Sequence, residues 1–229
     1  MMSTRPFVGI LVLALSGMVF AKATVAQEDG ERETRRRQSE AYATGGLRAA
    51  AAITGSAVRS VPCITAADAP KSIRELGAKS DLVVIGWTAS NVSRLSTDGK
   101  SIALHYEVRL EKTLKGGPPA AADITVLIPG GKVSFPDGSW AMEMTPNFPP
   151  PANNQSVLWF LSRVASKADR SGVDPDVFMP THGPLGVYSL QGTRGVRPHG
   201  GVGSSLSRAL IRQHWSPEQF ISHVMSEIR

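Results

Sequence analysis

The sequence is poor in cysteine and in charge, and each shortage excludes a class of protein. A single cysteine in 229 residues cannot close a disulfide within its own chain, so a disulfide-stabilised miniprotein is excluded. Charged residues make up 19% of the chain and the formal net charge is only +6, a field too weak to indicate nucleic-acid binding by itself. A hydrophobic content of 41% suits one ordinary globular domain and excludes a collagen or a long coiled coil.

Motifs that carry catalysis are also scarce. The run Gly99-Lys100-Ser101 has Arg94 where a phosphate loop needs its first glycine, and no G-x-S-x-G stretch marks a serine hydrolase. Carboxylates are scattered singly along the predicted strands, which does not favour glycoside hydrolysis. None of the five histidines stands at the close spacing of a known metal motif. We therefore predict no metal site and no cofactor, and a protein that is not an enzyme.

The N-terminus has the pattern of a secretory signal peptide over residues 1–26. Arg5 provides a positive charge, residues 7–20 form an apolar run, and small residues permit cleavage after Ala23 or after Ala26. At about 14 residues the run is shorter than the roughly 20 needed to span a bilayer, which favours a removable signal over an uncleaved anchor. The pattern predicts a protein that is exported to the periplasm or secreted, with no transmembrane segment beyond the signal.

The stretch after the signal predicts a disordered linker over residues 27–62. Eight of the ten residues in the range 28–37 are charged, and small residues dominate up to position 60. Such a segment has too little apolar surface to offset its ordering entropy. A single folded domain is then expected over residues 63–229, a length sufficient for one substantial core. Its first residue, Cys63, could form an intermolecular disulfide, act as a reactive thiol, or have no chemical role.

Hydrophobic patterning predicts a mainly β domain of the α+β class. Residues 81–88 are apolar on both faces, which is typical of a strand buried on both sides. Residues 101–110 alternate polar and apolar side chains, which is typical of a strand with one wet face. Asp98-Gly99 between them predicts a hairpin turn. Further strands, for five to six antiparallel strands in all, are expected at residues 124–128, 140–145 and 157–164, with short candidates at 177–179 and 186–190.

One helix is expected before the strands and two after them. Asp68 can cap the first helix, and Gly77 can end it. Near the C-terminus, Leu206 and Leu210 share one face of a second helix. Ser216 can cap a third helix, which carries its own apolar stripe.

Four stretches carry a resemblance to a known family: DLVVIG at residues 81–86, HYEVRLEKTLKG at 105–116, ITVLIPGG at 124–131 and SVLWFL at 156–161. Their order resembles bacterial exported domains of unknown function and, more remotely, the netrin-like module shared with tissue inhibitors of metalloproteinases. The resemblance implies a small antiparallel barrel of the oligonucleotide/oligosaccharide-binding (OB) type. It does not carry over the family's inhibitory wedge, which begins with a disulfide-pinned cysteine, because Cys63 has no partner in this chain.

Trp140 is the best candidate for a binding surface. It shares a short predicted strand with Met142 and Met144, between a glycine turn and a proline-rich loop. Trp87 and Tyr106 instead share the parity of their apolar neighbours and are predicted to lie in the core. We therefore expect a binding module whose partner is a protein or an envelope polymer, and no nucleic acid, from which the export signal would separate the chain. The basic residues expected around the surface are Arg94, Lys100, Arg109, Lys112, Lys115 and Lys132.

Two alternative functions stay open. His182 and His199 lie in Gly/Pro-rich loops near Asp174 and Asp176, so the four side chains could form the acid–base or metal site of an uncharacterised hydrolase. Their meeting in one cleft would favour that enzyme. The second alternative is an extracellular protease inhibitor, which requires an exposed apolar edge near Cys63.

Overall fold

The computed structural model describes residues 8–61, 68–117, 119, 121–146, 148–164, 177–190, 195–200 and 204–228, with the backbone alone described at 8–27 and at 211–212. Within these residues the chain is an α+β protein, as predicted. Its helices are α1 (Val8–Thr54), α2 (Ile73–Ala78), α3 (Ser205–Arg212) and α4 (Pro217–Glu227). Its strands are β1 (Ser56–Ser60), β2 (Leu82–Leu95), β3 (Ile102–Lys115), β4 (Asp123–Pro129), β5 (Gly131–Ser134), β6 (Trp140–Met144), β7 (Ser156–Arg163), β8 (Val177–Pro180), β9 (Val187–Ser189) and β10 (Arg197–Pro198).

The prediction of five to six antiparallel strands was wrong in number and in direction. The described residues form ten strands in two sheets, which we call the large sheet and the small sheet. Two of the pairings, β1 with β6 and β4 with β8, are parallel. Each parallel pair joins strands that are far apart in sequence, as a parallel connection requires, and local alternation gives no information about such a pairing.

The predicted hairpin is confirmed and forms the centre of the large sheet. β2 and β3 pair antiparallel along most of their length, and Gly99 takes a φ of +70° in the turn between them. Gly86 lies at a register shift of this pair. A side chain there would place its Cβ 2.7 Å from a Val108 methyl carbon and 2.8 Å from the Arg109 carbonyl oxygen. The glycine therefore permits the close approach of the two strands.

The large sheet has the strand order β10-β9-β7-β2-β3-β4-β8, and β8 pairs with β7 as well as with β4. One set of side chains from these strands forms a buried apolar core, in which the rings of Tyr106 and Trp159 lie 6.3 Å apart. Burial raises the pKa of the Tyr106 hydroxyl to about 12. Other members of this core are Val84, Val108, Ile124, Val126, Ile128, Val157, Leu161 and Phe178.

The opposite side of β2 and β7 is covered by the short helices. The alternate side chains of β7, such as Leu158 and Phe160, pack with residues of α2, α3 and α4 in a second buried cluster. Every residue from Ser156 to Leu161 is consequently buried. The Lys115 ammonium fixes this layer to β3, since it donates to two carbonyl oxygens at the end of α2, those of Gly77 at 2.6 Å and Ser80 at 2.8 Å.

The predicted caps are confirmed at α4 and differ at α2. At α4, Ser216 and Gln219 form a reciprocal capping box, and Pro217 occupies the first turn. At α2, Ser72 caps the helix in place of Asp68, because its hydroxyl oxygen accepts a hydrogen bond of 3.1 Å from the Glu75 amide.

The small sheet has the order β1-β6-β5, and one of its faces packs against α1. Ala57 and Ala141 on that face belong to a buried cluster with Leu47, Ala50 and Ala51 of the helix. Two short alanines opposite each other let the helix approach the sheet closely. The residues 28–61, for which a disordered linker was expected, thus form a helix and a paired strand in the structure.

The charged residues after position 27 are spaced so that they pair along a helix. Ion pairs at i,i+3 or i,i+4 spacing join Glu31 to Arg35 at 3.3 Å and Arg36 to both Glu33 at 2.8 Å and Glu40 at 2.6 Å. Such pairs support the charged segment of the helix, residues 28–40, which contains no apolar side chain. The helix then turns sharply at Gly46, whose φ of 68° is not helical, and enters the buried cluster.

Two predictions from the sequence concern residues outside the described parts of the chain. Cys63 lies outside the described residues, and so do residues 1–7. None of the helices that the structure describes is both long and apolar enough to cross a lipid bilayer.

Candidate functional site

The uncovered face of the small sheet brings together the four residues predicted to form a binding surface. Strand register places Val58, Met142 and Lys132 side by side across β1, β6 and β5. Trp140 and Met144 lie two residues before and after Met142, on the same face. We call these five residues the open face.

The open face is apolar and accessible to solvent. Val58 is 52% exposed and Met144 is 48% exposed, while Trp140 and Met142 are partly exposed. Large apolar side chains that stay exposed together are typical of an interaction surface. Val58 was not among the residues predicted for this surface, because it lies in the segment expected to be disordered. The strand around it reads SAVRS, with two adjacent apolar residues and no polar–apolar alternation, so its sequence carries no local signal for a strand.

Lys132 and Trp140 interact directly. The Lys132 ammonium nitrogen lies 4.4 Å from the centroid of the Trp140 ring, in a cation–π arrangement. One face of the indole is therefore occupied by a side chain of the same molecule. Both side chains are also held in position by the pairing of Ser134 with Trp140 and of Lys132 with Met142 in the β5–β6 ladder.

An apolar cleft continues from the open face toward the large sheet. Its volume is about 540 Å³, and Met142, Met144 and the proline-rich segment 148–150 line it. Leu104 and Ile128 of the large sheet also line it. The proline-rich segment cannot pair within a sheet through its proline nitrogens, so it lies beside the strands as a wall. The open face and this cleft together make one continuous apolar surface.

A buried carboxylate holds the small sheet on the rest of the protein. Glu143 lies on the covered face of β6, and it accepts a hydrogen bond of 2.6 Å from the Ile102 amide of β3. Its other oxygen lies 3.2 Å from Nη1 of Arg59 on β1. Arg59 in turn donates to the Lys100 carbonyl oxygen at 3.2 Å and contacts the Tyr42 hydroxyl of α1. This one carboxylate therefore links β6 to β3, and through Arg59 to the hairpin turn and α1.

Trp87 and Tyr106, both predicted to lie in the core, have different environments. Tyr106 is buried as predicted. Trp87 is 41% exposed, and its indole nitrogen donates to Glu111 at 3.1 Å, so the prediction for Trp87 was wrong. The irregular pairing of β2 with β3 explains the error, because register shifts flank Trp87 at residues 85–86 and 88–90 and change the simple alternation.

The residues of the alternative enzyme site do not form a described cluster. Asp174 and Asp176 lie outside the described residues. His182 takes a left-handed φ of 53° before the short 3₁₀ turn Gly183–Gly186, and burial lowers the pKa of its imidazole, an effect to which Lys79 adds. Nδ1 of His199 instead lies 2.9 Å from the Pro149 carbonyl oxygen. No hydrogen bond joins the two histidines within the described chain.

The His199 imidazole contacts the proline-rich segment that lines the apolar cleft. Its Nε2 atom is buried without a hydrogen-bond partner among the described residues. Burial lowers the pKa of this imidazole, although the hydrogen bond to Pro149 opposes that effect. Among the residues that the structure describes, no group of three or more His, Cys, Asp or Glu side chains is placed to hold a metal ion.

Comparison with known proteins adds no family to this description. No protein family model matches the chain, and no curated protein is similar enough to count as a relative.

Proposed function

We propose that the chain is an exported, non-enzymatic binding module that holds a protein partner on the open face. The observation that carries this proposal is the contrast between the two faces of the small sheet. One face is buried against α1, and the other presents Val58, Trp140, Met142 and Met144 to solvent. The strand pairings already fix the backbone beneath these apolar side chains, so covering them costs side-chain freedom only, and their burial favours association. Export is proposed from the signal-peptide pattern.

A protein partner fits this face better than an envelope polymer does. A polysaccharide is recognised mainly by stacking of sugar rings on exposed aromatic faces, but the Lys132 ammonium already lies over one face of Trp140. Two methionines and a valine supply most of the rest of the face, and methionine side chains adapt to apolar protein surfaces. We therefore expect the partner to contribute apolar side chains, with a carboxylate placed near Lys132.

We also propose that five strands of the large sheet form an OB-like barrel, in the order β7-β2-β3-β4-β8. The double pairing of β8, with β4 and with β7, supports this closure. Three of the four stretches that carry the resemblance lie on β2, β3 and β7, and the fourth begins on β4; these four strands are adjacent in the sheet. Gly116, at the end of one of those stretches, would place a Cβ 2.6 Å from the Asp81 carbonyl oxygen, so the close approach at that corner requires a glycine.

The test of the binding proposal uses a matched pair of methionines. Met144 lies on the open face, whereas Met179 lies on β8 of the large sheet and is 38% exposed. We would isolate the partner from an envelope extract with the full-length protein, identify it, and measure the affinity of the purified pair by calorimetry. Met144→Glu should weaken binding at least about tenfold, since it places a charge in an apolar contact. Met179→Glu should leave the affinity within about twofold.

A third variant, Trp140→Ala, should weaken binding without unfolding the protein, because the indole is only partly buried. Equal affinities for the Met144 and Met179 variants would contradict the proposal. So would sedimentation of the protein with protease-treated, protein-free envelope polymer, since that result would identify a polymer as the partner.

A further inference from the structure

A cleft of about 520 Å³, lined by both charged and apolar side chains, lies on the large sheet, on the outer side of β2, β3 and β4. Its size is within the range of sites for small ligands. The cleft lies on the side of the strands opposite to the apolar cleft, because Val92, His105 and Leu127 line it while their neighbours Ser93, Leu104 and Ile128 line the other.

Strand register sets the order of the side chains in three rows across the cleft. Ser90, Glu107 and Thr125 form the first row. The second row contains Val92, His105 and Leu127, and Arg94 lies in the third row, beside Ala103. Successive rows on one face of a strand are about 7 Å apart, so the first and third rows are separated by about 13 Å.

The charges of the cleft are divided between its two ends. Arg94, at one end, makes no hydrogen bond or ion pair with any described residue. At the other end, Glu107 accepts a hydrogen bond of 3.0 Å from the Ser90 hydroxyl, which leaves its negative charge without a cation. The third charged group, Asp123, has its Oδ1 atom 3.7 Å from Nε of Arg109, which is an ion pair without a hydrogen bond, and that oxygen is buried with no hydrogen-bond partner among the described residues. The cleft therefore presents an unpaired cation and an unpaired anion.

The middle row is suited to an uncharged chain between these ends. Val92 is exposed and Leu127 is half-buried, so both offer apolar surface. Burial, together with the nearby charge of Arg94, lowers the pKa of the His105 imidazole. A neutral imidazole has one donor and one acceptor, as does each peptide group.

We propose that this cleft binds a short extended peptide with free termini. The peptide carboxylate would pair with Arg94, whose guanidinium can bind both of its oxygens. The peptide ammonium would lie at Glu107, and the peptide backbone would run past His105. An extended chain covers at most about 3.3 to 3.6 Å per residue, so about four residues span the separation of the two charged rows.

The probe for this site is tetraalanine, titrated calorimetrically into the protein expressed at full length. We expect tetraalanine with free termini to bind, and amidation of its C-terminus to weaken binding about tenfold or more, as expected for loss of a bidentate charge-assisted contact. Arg94→Gln should weaken the binding of tetraalanine with free termini to the same degree. In that variant amidation should have no further effect, because the two changes remove one interaction.

The other terminus provides an independent arm. Glu107→Gln keeps an acceptor for the Ser90 hydroxyl. This variant should weaken the binding of tetraalanine with free termini as much as N-acetylation of the peptide does. Lys112→Gln, a neutralised exposed lysine on β3, is the matched control and should leave the affinity within about twofold. Unchanged amide NMR spectra outside the cleft would show that the variants are folded.

Several outcomes would overturn the proposal. Absence of any heat of binding from tetraalanine at millimolar concentration is one of them. An equal loss of affinity on amidation in the wild type and in Arg94→Gln would place the carboxylate elsewhere. Binding of glucuronate as tight as that of tetraalanine would identify a general carboxylate site and contradict the assignment to peptides. Because none of these measurements involves Trp140 or Met144, their failure leaves the binding proposal for the open face intact.

Discussion

The large and the small sheet differ in how many of their faces are covered. Around β7 the large sheet is covered on both sides, by its own apolar core and by the short helices, so that six consecutive residues from Ser156 to Leu161 are all buried. The small sheet is covered on one side only, by α1. What packs on a strand, and not its apolar content alone, therefore decides whether its side chains lie in the core or face solvent.

The two sheets also differ in how they are assembled. The large sheet is built around a local hairpin, β2–β3, whose turn closes over a few residues. The small sheet joins β1 to β6 in parallel, and α1 and Glu143 hold both in place. Contacts between distant segments cost more loop entropy than those of a hairpin, so we expect the small sheet to be the less stable unit.

The largest expected effect comes from the core of the large sheet. Trp159→Ala removes a fully buried indole and should lower the free energy of unfolding by about 3 to 5 kcal/mol. Because the small sheet rests on β3, hydrogen exchange should accelerate in both sheets. Urea unfolding and amide exchange would measure this effect. Loss of protection in the large sheet alone would contradict the dependence of the small sheet on it.

A change in α1 should separate the two sheets. Leu47 is fully buried between α1 and the small sheet, so Leu47→Ala should cost about 2 to 5 kcal/mol. Amide exchange should accelerate in β1, β5 and β6 and stay slow in β7. The matched control is Ile53→Ala, since Ile53 is an exposed residue of the same helix and its truncation should change neither region. Equal acceleration in β7 would show that the sheets unfold as one unit.

The buried carboxylate gives a smaller and more local effect. Glu143→Ala leaves the Ile102 amide without its acceptor, which should cost about 1 to 3 kcal/mol. The increase in the rate of amide hydrogen exchange should be confined to the small sheet and the adjoining end of β3. Glu111→Gln, at an exposed carboxylate that also accepts a hydrogen bond, is the control and should lie within about 0.5 kcal/mol of the wild type. If the control variant is as destabilised as Glu143→Ala, burial of the Glu143 carboxylate is not the reason for its effect on stability.

The smallest effect is a loss of stability at acid pH that we assign to His199, whose imidazole contacts the proline-rich segment lining the apolar cleft. Because burial lowers the pKa of His199 in the folded protein, the unfolded chain takes up its proton first as the pH falls. The stability from the neutral imidazole is complete above its ordinary pKa of 6.5 and declines as the pH drops toward the lower folded value. His199→Asn keeps a donor for the Pro149 carbonyl but cannot titrate. The midpoint temperature of thermal unfolding should therefore fall less between pH 7 and pH 5.5 in this variant than in the wild type. An identical decline in both proteins would contradict this assignment.

Local patterns predicted local structure well. The alternation around Tyr106, the Asp98-Gly99 turn and the Ser216 cap all have their causes within a few residues, and each was found where the sequence placed it. The same holds for Trp140, Met142 and Met144, because their shared face follows from the two-residue period of a strand.

Features that depend on distant segments were not predictable in the same way. The parallel pairing of β1 with β6 has no local signature in the sequence. The alanines of α1 become buried only because the small sheet packs against them, and their own sequence does not indicate that contact. One missed signal was local, since the opposite charges of Glu31 and Arg35, and of Glu33 and Arg37, already stood at helical spacing. The exposure of Trp87 required knowledge of the register shifts around it, which arise only when β3 pairs with β2.

Cross-linking in the producing cell would show whether the uncovered face of the small sheet is the surface that contacts a partner. A photoreactive residue would replace Met144 in one strain and Met179, the exposed methionine of the large sheet, in another. We expect a protein adduct at position 144 that Val58→Glu abolishes, and no adduct at position 179. Adducts of equal yield at both positions, or none at position 144, would contradict this expectation.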